Sequence, residues 1–232
     1  MKGQVPGKKP VSAKVMLKEL EEALEFNRDP EKANGMAAYM KNRFNFLGIP
    51  QPLRKELSRP FLKAALLLDM PAILQLAEEL WKKPEREYQY IAMELLYASR
   101  KKWDAASELF FLHLVTEKSW WDTVDFIASK LIGTRFAGKK KPGIMKAWIG
   151  AENTWQNRTA LLFQLNYKQN TDAEFLFTAV RCLLPKREFF IQKAIGWSLR
   201  QYHRTAPDKV EEFVESAGIT GLARKEALKH SS

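Results

Sequence analysis

Apolar residues recur at spacings of three and four positions along almost the whole chain, for example over residues 15–24 and 73–81. This spacing places apolar side chains on one face of a helix, so it predicts a series of amphipathic helices. Prolines open or precede the successive segments at Pro30, Pro50, Pro71, Pro84, Pro142 and Pro207. The pattern predicts an all-α protein of about twelve or thirteen helices.

Residues 87–97, 155–165 and 189–199 resemble one another, with Ala160 and Ala194 separated by 34 positions and Ala92 lying twice that distance before Ala160. A fourth copy is expected around Phe126. Helix pairs repeating at this length are typical of solenoids, so we predict a curved α-solenoid of degenerate HEAT-like repeats whose concave surface collects equivalent positions. The repeats do not match the tetratricopeptide consensus, which argues against peptide binding of that kind.

The domain organisation predicted from this pattern is simple. Residues 1–12 are basic and lack a long apolar run, so we expect a flexible basic tail. Residues 13–232 are expected to form a single helical-repeat domain, and solenoids of this size are commonly monomers.

The chain is strongly basic, with 38 Lys and Arg against 27 Asp and Glu and a formal net charge of +11. This charge favours a polyanionic partner, although DNA, an anionic membrane surface and an acidic protein all remain compatible with it. No apolar stretch approaches the roughly 20 residues that cross a bilayer.

The residues that commonly form metal and cofactor sites are scarce. Cys182 is the only cysteine, which excludes an intrachain disulfide and favours a reducing, cytoplasmic location. Its apolar neighbours lead us to expect a buried thiol. The three histidines lack metal-ligand spacing and no glycine-rich phosphate loop is present, so we predict neither a metal site nor a cofactor.

One segment combines aromatic and acidic side chains in a pattern that packing alone does not require. Trp121 and Asp125 are four residues apart and share one side of a helix, and the repeats align Trp121 with Trp155 and Phe189. Trp120 is expected to pack elsewhere, and Asp122 is explained by its place near a helix start. A carboxylate beside an aromatic side chain suits a ligand, with a structural ion pair as the alternative.

Three segments resemble the AlkD DNA alkylation repair glycosylases, which are built from HEAT-like repeats: residues 118–125 (KSWWDTVD), 39–44 (YMKNRF) and 189–200 (FFIQKAIGWSLR). The resemblance extends from about residue 29 to residue 229. Asn166 stands where some members have a lysine, and the linker over residues 138–143 looks shortened and more basic.

The resemblance implies a role for several side chains. Asp125 corresponds to the catalytic carboxylate, while Trp121 and Trp197 correspond to aromatic residues of the cleft. Arg158 resembles a phosphate-contacting arginine, and Tyr39 matches a tyrosine that faces the lesion strand. Further candidates for contact with DNA are Lys41, Arg43, Lys168, Phe190, Lys193 and Arg200.

The activity implied is that of a monofunctional DNA glycosylase of base excision repair, acting on N3-methyladenine and N7-methylguanine in double-stranded DNA without flipping the base. These bases are cationic and leave readily, so a nearby carboxylate can stabilise the oxocarbenium-like sugar and orient a water. A non-catalytic scaffold that binds DNA or protein along its concave face is the alternative. A carboxylate repels the phosphates of DNA, so a protein that only binds phosphate would lose affinity through Asp125. This residue therefore favours the enzyme.

Overall fold

The computed structural model describes residues 12–139 and 143–229, which form helices joined by short loops. The α-helices are α1 (Ala13–Phe26), α2 (Pro30–Tyr39), α3 (Gln51–Ala65), α4 (Met70–Lys82), α5 (Arg86–Ala98), α6 (Ala105–Leu114), α7 (Trp121–Phe126), α8 (Gly133–Phe136), α9 (Gly143–Ile149), α10 (Thr154–Leu162), α11 (Ala173–Leu183), α12 (Phe189–His203), α13 (Pro207–Ser216) and α14 (Gly221–Ala227). A π-helical stretch, Ile127–Ile132, joins α7 to α8 in one continuous helix, so the described residues hold thirteen helices. The predicted all-α class and helix number are confirmed.

Acidic residues begin several of these helices. The side chains of Asp29, Asp69 and Asp172 accept hydrogen bonds from backbone N–H groups in the first turns of α2, α4 and α11, respectively. Such N-caps satisfy donors that have no partner within the helix. These caps help to explain why the helices begin close to the boundaries that the sequence indicates.

The chain divides into two compact units, Met1–Asp104 and Ala105–Ser232. The first unit contains α1–α5, in which α4 packs on α5 and α1 packs on α3. In the second unit α10 packs against α7 and α12, and α12 packs against α14, while α9 packs against α10 and α11. The second unit is thus a stack of helix pairs, as a solenoid-like fold requires. A single domain over residues 13–232 stays a prediction, and residues 1–11 of the expected tail lie outside the described part.

Three amide side chains bind the helix that precedes their own. Gln89 donates to the carbonyls of Leu80, Trp81 and Lys83. Asn157 donates in the same way to the residues that end α9, and Gln192 does so after α11. These bonds satisfy carbonyls at helix C-termini and fix each turn between paired helices. Because Asn157 and Gln192 are 35 residues apart, the repeat here is one residue longer than the 34 read from the sequence.

Buried charges hold the loop that follows α2. The Glu87 carboxylate accepts hydrogen bonds from the backbone N–H groups of Leu47, Gly48 and Ile49 at 2.9–3.1 Å. Gly48 has a φ of +84°, and a Cβ there would lie 2.0 Å from the backbone oxygen of Asp29. Glu87 and the loop over residues 47–49 therefore contact each other and have a structural role.

The surface differs from expectation at the single cysteine. The buried side of α11 carries Phe175, Leu176, Ala179, Val180 and Leu183, whereas the Cys182 side chain is exposed. The prediction of a buried thiol was wrong because apolar sequence neighbours lie on other faces of a helix. None of the described helices is long and apolar enough to span a bilayer.

Candidate active site

Asp125 and Arg158 form an ion pair between α7 and α10. Arg158 Nε lies 2.6 Å from Asp125 Oδ1, and Arg158 Nη2 lies 2.8 Å from Asp125 Oδ2. The third guanidinium nitrogen, Nη1, donates to the backbone carbonyl of Phe190 at the start of α12. The Arg158 side chain is 5% exposed and that of Asp125 is 16% exposed. The arginine thus connects α7, α10 and α12 and fixes the direction of the carboxylate.

Burial and the arginine act on Asp125 in opposite directions. Burial raises the pKa of Asp125 above its usual range because water no longer solvates the charged form, and hydrogen bonding and attraction by Arg158 oppose that rise without cancelling it. Asp122 is close enough to raise the pKa of Asp125 slightly further. The bidentate geometry fits an ionised carboxylate, because both oxygens accept hydrogen bonds from a permanently charged group.

Three aromatic rings pack beside this pair. The ring centroid of Trp120 lies 5.5 Å from that of Trp155 and 5.0 Å from that of Phe190, and Trp155 lies 5.2 Å from Phe190. Arg158 lies over the Phe190 ring at 5.9 Å. The cluster gives the ion pair an apolar wall, which lowers the local dielectric and strengthens electrostatic interactions.

The same cluster corrects the repeat alignment. The sequence matched Trp121 with Trp155 and Phe189, but the rings that pack together belong to Trp120, Trp155 and Phe190, which are spaced by 35 residues. Trp120 is buried, as expected of a packing residue. The one-residue error arose because the alignment was anchored on small residues, which permit more than one register.

The helix that carries Asp125 changes its winding directly after that residue. The π-helical stretch begins at Ile127, and the Ser129 hydroxyl donates to the Asp125 carbonyl at 2.7 Å. Asn166 Nδ2 donates to the Ser129 carbonyl at 2.9 Å, and the Tyr167 hydroxyl donates to the Gly133 carbonyl at 2.8 Å. π-Helical turns leave carbonyls poorly paired and often occur at functional sites. Asn166, flagged as a departure from the family pattern, thus has a structural partner here.

The two other predicted aromatic residues are half-buried. Trp121 lies one turn before Asp125 on the same side of the helix, and Trp197 lies two turns after Phe190 on α12. The position of Trp121 suits contact with a ligand beside Asp125. The roles of Trp121 and Trp197 in the cleft stay predictions.

Two of the predicted phosphate-binding cations have an acidic partner that sequence reasoning missed. Lys193 Nζ lies 2.8 Å from Glu226 Oε1, and Arg200 Nη1 lies 3.0 Å from Glu226 Oε2. Lys168 is exposed and adopts a left-handed backbone conformation with a φ of +53°. Phosphate contact by any of these side chains stays a prediction. So does phosphate contact by Arg158, whose guanidinium binds Asp125 and Phe190 in this structure.

The remaining predicted residues belong to the first unit. Tyr39 ends α2 and is exposed, while Lys41 and Arg43 lie in the exposed turn that follows. Lys41 and Asn42 have φ values of +58° and +54°, and the preceding Met40 is buried. The polar side chains of the turn therefore face solvent, and the buried Met40 side chain anchors the start of the turn.

Trp155 was not assigned a role from the sequence, although a spacing of 35 residues between Trp120, Trp155 and Phe190 could have indicated it. Glu226 carried no signal, because its partners lie on a helix far earlier in the chain. In the described part of the chain, no group of three His, Cys, Asp or Glu side chains is arranged to hold a metal ion.

Comparison with known proteins gave matches to a family model and to a solved structure. The model of a family described as DNA alkylation repair enzyme matches residues 20–231. A solved structure described as a predicted DNA alkylation repair enzyme from Enterococcus faecalis is 40% identical, with a TM-score of 0.83, over 88% of this chain and 96% of that chain. A search of curated proteins gave no significant match. The chain belongs to the family of DNA alkylation repair enzymes.

Proposed function

We propose that this protein is a monofunctional DNA glycosylase that hydrolyses the N-glycosidic bond of N3-methyladenine and N7-methylguanine in double-stranded DNA. The observation that carries the proposal is the buried Asp125 carboxylate, held by Arg158 and walled by aromatic rings. A carboxylate on a basic protein opposes DNA binding, so its burial at such a site is better explained by chemistry than by affinity.

The substrate explains why one carboxylate suffices. An alkylated purine of this kind is cationic, so the bond to C1′ breaks with its electron pair going to the base, which leaves neutral. Positive charge develops on the sugar, and an ionised Asp125 stabilises it electrostatically. No proton has to be supplied to the leaving base.

Water completes the reaction. Its oxygen bonds to C1′ as the base departs, and one of its protons is released to solvent by way of Asp125, which leaves an abasic site and free base. Arg158 occupies one side of each carboxylate oxygen, so the remaining lone pairs can accept from the water. Arg158 is thus proposed as a positioning residue that favours the charged form of the carboxylate and orients it.

Aromatic residues provide selectivity for a cationic nucleotide. A positive charge over an indole face is stabilised by about 0.5–2 kcal/mol, so Trp121 and Trp197 would favour the alkylated nucleotide over its neutral counterpart. Tyr39, Lys41, Arg43, Lys168, Phe190, Lys193 and Arg200 are proposed to contact the duplex.

We further propose that the lesion stays stacked in the duplex, which rests on the AlkD resemblance. Enzymes that flip a base must fit it into a pocket, whereas an enzyme that grips the backbone tolerates large substituents. Release of a bulky N7-alkylguanine at a rate close to that of N7-methylguanine would support this mode. Selective failure on the bulky base would contradict it.

The direct test is to incubate the protein with duplex DNA containing N7-methylguanine or N3-methyladenine and to quantify the free base by chromatography. Wild type is expected to release it. Asp125→Asn should lower the rate by about 100-fold or more, because one electrostatic stabiliser of the transition state is lost. Asp208→Asn is the matched control, since Asp208 is an exposed aspartate in the first turn of α13.

The outcome also separates the enzyme from the alternative, a non-catalytic helical scaffold. Duplex binding by the wild type without release of either base would contradict the glycosylase and favour the scaffold. Base release that is equal in wild type and Asp125→Asn would contradict the role of Asp125 only.

A further inference from the structure

Glu226 lies where α14 packs against α12, and its two carboxylate oxygens bind two different cations. Oε1 is 2.8 Å from Lys193 Nζ and Oε2 is 3.0 Å from Arg200 Nη1. Lys193, Trp197 and Arg200 are spaced by four and three residues, so they share one face of α12. The carboxylate thus neutralises part of the charge on a face that also carries a proposed cleft residue.

The base of the Glu226 side chain is fixed, and the side chain as a whole is 15% exposed. A Cβ on Gly196 would lie 2.4 Å from the Cβ of Glu226 and 2.8 Å from the Ala223 carbonyl, so the two helix backbones are in close contact. The carboxylate itself is charged at neutral pH, because hydrogen bonding and attraction by Lys193 lower the pKa of Glu226 despite partial burial. A fixed anion therefore faces both cations permanently.

Both cations remain able to bind an external anion. The side chain of Lys193 is 38% exposed and that of Arg200 is 21% exposed, and each binds Glu226 through a single nitrogen. Lysine has three N–H donors and arginine has five, so donors remain. A phosphate oxygen resembles a carboxylate oxygen in charge and in accepting hydrogen bonds, so the two would use the same donors.

We propose that Lys193 and Arg200 form a binding site for one phosphate of the DNA backbone, and that the Glu226 carboxylate competes with this phosphate and lowers the affinity for DNA. This rests on the proposed function. By weakening attraction to the backbone of undamaged DNA, Glu226 would make a larger share of the affinity depend on the lesion. The protein would then dissociate more readily from undamaged sites.

The test uses the full chain and an undamaged duplex, with affinity measured by fluorescence anisotropy over a series of salt concentrations. Glu226→Gln keeps the side-chain length and one acceptor oxygen but removes the charge. Binding should tighten about two- to fivefold, the range of an ion pair near the protein surface. The dependence of log affinity on log salt should steepen by up to about 0.9, as for one additional phosphate contact.

Glu215→Gln is the matched control. Glu215 is also paired with an arginine of α14, Arg224, and the substitution changes the net charge equally. If the gain from Glu226→Gln only reflects net charge, the control will show the same gain, and the proposal will be overturned. Weaker binding by Glu226→Gln would also overturn it, since the carboxylate would then assist binding.

A second measurement links the effect to the two cations, and its first part does not require the Glu226 variant to fold. Lys193→Gln/Arg200→Gln should weaken duplex binding with Glu226 intact, and adding Glu226→Gln to that background should give no gain. Unchanged binding by the double variant would overturn the proposal. Base release from an N7-methylguanine duplex is assayed separately, so loss of the glycosylase hypothesis and loss of this inference give different results.

Discussion

Asp125 and Arg158 bind each other through two hydrogen bonds, so the chemistry of each side chain depends on the other. Without Arg158, the carboxylate would be a partly buried charge whose desolvation favours protonation. Arg158 favours the charged form and holds the carboxylate in one direction. The pair is therefore a unit, in which one residue is proposed to act on the sugar and the other to position it.

Replacing Arg158 should shift the pH dependence of base release. Burial raises the pKa of Asp125 and Arg158 opposes that rise, so Arg158→Gln should raise the pKa further. The ionised form is the active one, so activity falls as pH drops through this pKa, and the fall should begin at a higher pH in the variant. Single-turnover rates across the acid range measure this.

If activity is lost over the same acid pH range in Arg158→Gln as in the wild type, the coupling between the two residues is contradicted. Lys139→Gln is a suitable control, because Lys139 is an exposed cation of the same unit that pairs with Glu108 instead. Its profile should match that of the wild type.

The sequence indicated Asp125 and Arg158 separately, but it did not indicate the contact between them. Asp125 stood out because a carboxylate four residues after Trp121 had no packing or capping explanation. The Asp125–Arg158 pair could not be derived, because a contact between two repeats depends on their register, and the alignment was one residue off at Trp121 and Phe189. Glu226 could not be found, since nothing local marks it as the partner of Lys193.

The helices themselves depend on a few close contacts between elements. α12 and α14 approach each other at Gly196, where no side chain separates the two backbones. The π-helical stretch after Asp125 is held by Ser129, Asn166 and Tyr167. Proline positions and apolar periodicity predicted most helices. They could not predict the π-helical stretch, because two of the three side chains that hold it, Asn166 and Tyr167, come from a later repeat.

Gly196→Ala should destabilise the protein by about 1–3 kcal/mol, because the added methyl group would overlap Glu226 and the Ala223 carbonyl in a packed contact. Urea denaturation measures the change in the free energy of unfolding. Gly35→Ala is the matched control, since Gly35 lies within α2 and a Cβ added there would meet no neighbouring side chain or loop within 4 Å. That change should stabilise by about 0.4–1 kcal/mol.

If Gly196→Ala were as stable as the wild type, α14 would not be packed against α12 as described. The variant also tests the position of α14, because displacement of this helix should separate Glu226 from Lys193 and Arg200.

At the scale of the whole molecule, the net charge of +11 and membership in the DNA alkylation repair family point to the same partner. The net charge alone is compatible with DNA, membranes and acidic proteins as partners. Membership in the family favours DNA among these three partners. Double-stranded DNA as the specific partner, a monomeric state and a cytoplasmic location stay predictions.

Binding to duplex DNA should weaken linearly on a logarithmic scale as salt increases, with a slope of about −0.9 for each phosphate contacted. Titrations of an undamaged duplex at several salt concentrations measure this slope. Lys168→Gln should make the slope shallower by the contribution of about one phosphate contact. Lys225→Gln serves as a control, because Lys225 is exposed on α14 and was not predicted to contact DNA. Equal slopes for wild type and Lys168→Gln would remove Lys168 from the interface.

The most direct test of the central claim separates catalysis from binding in one variant. The single-turnover rate of N7-methylguanine release and the affinity for the same duplex should be measured for wild type and Asp125→Asn. The account predicts a rate lower by about 100-fold or more with affinity unchanged or slightly higher, because the carboxylate acts on the transition state and opposes the polyanion. A variant that keeps the wild-type rate, or that loses rate and affinity to the same extent, would contradict it.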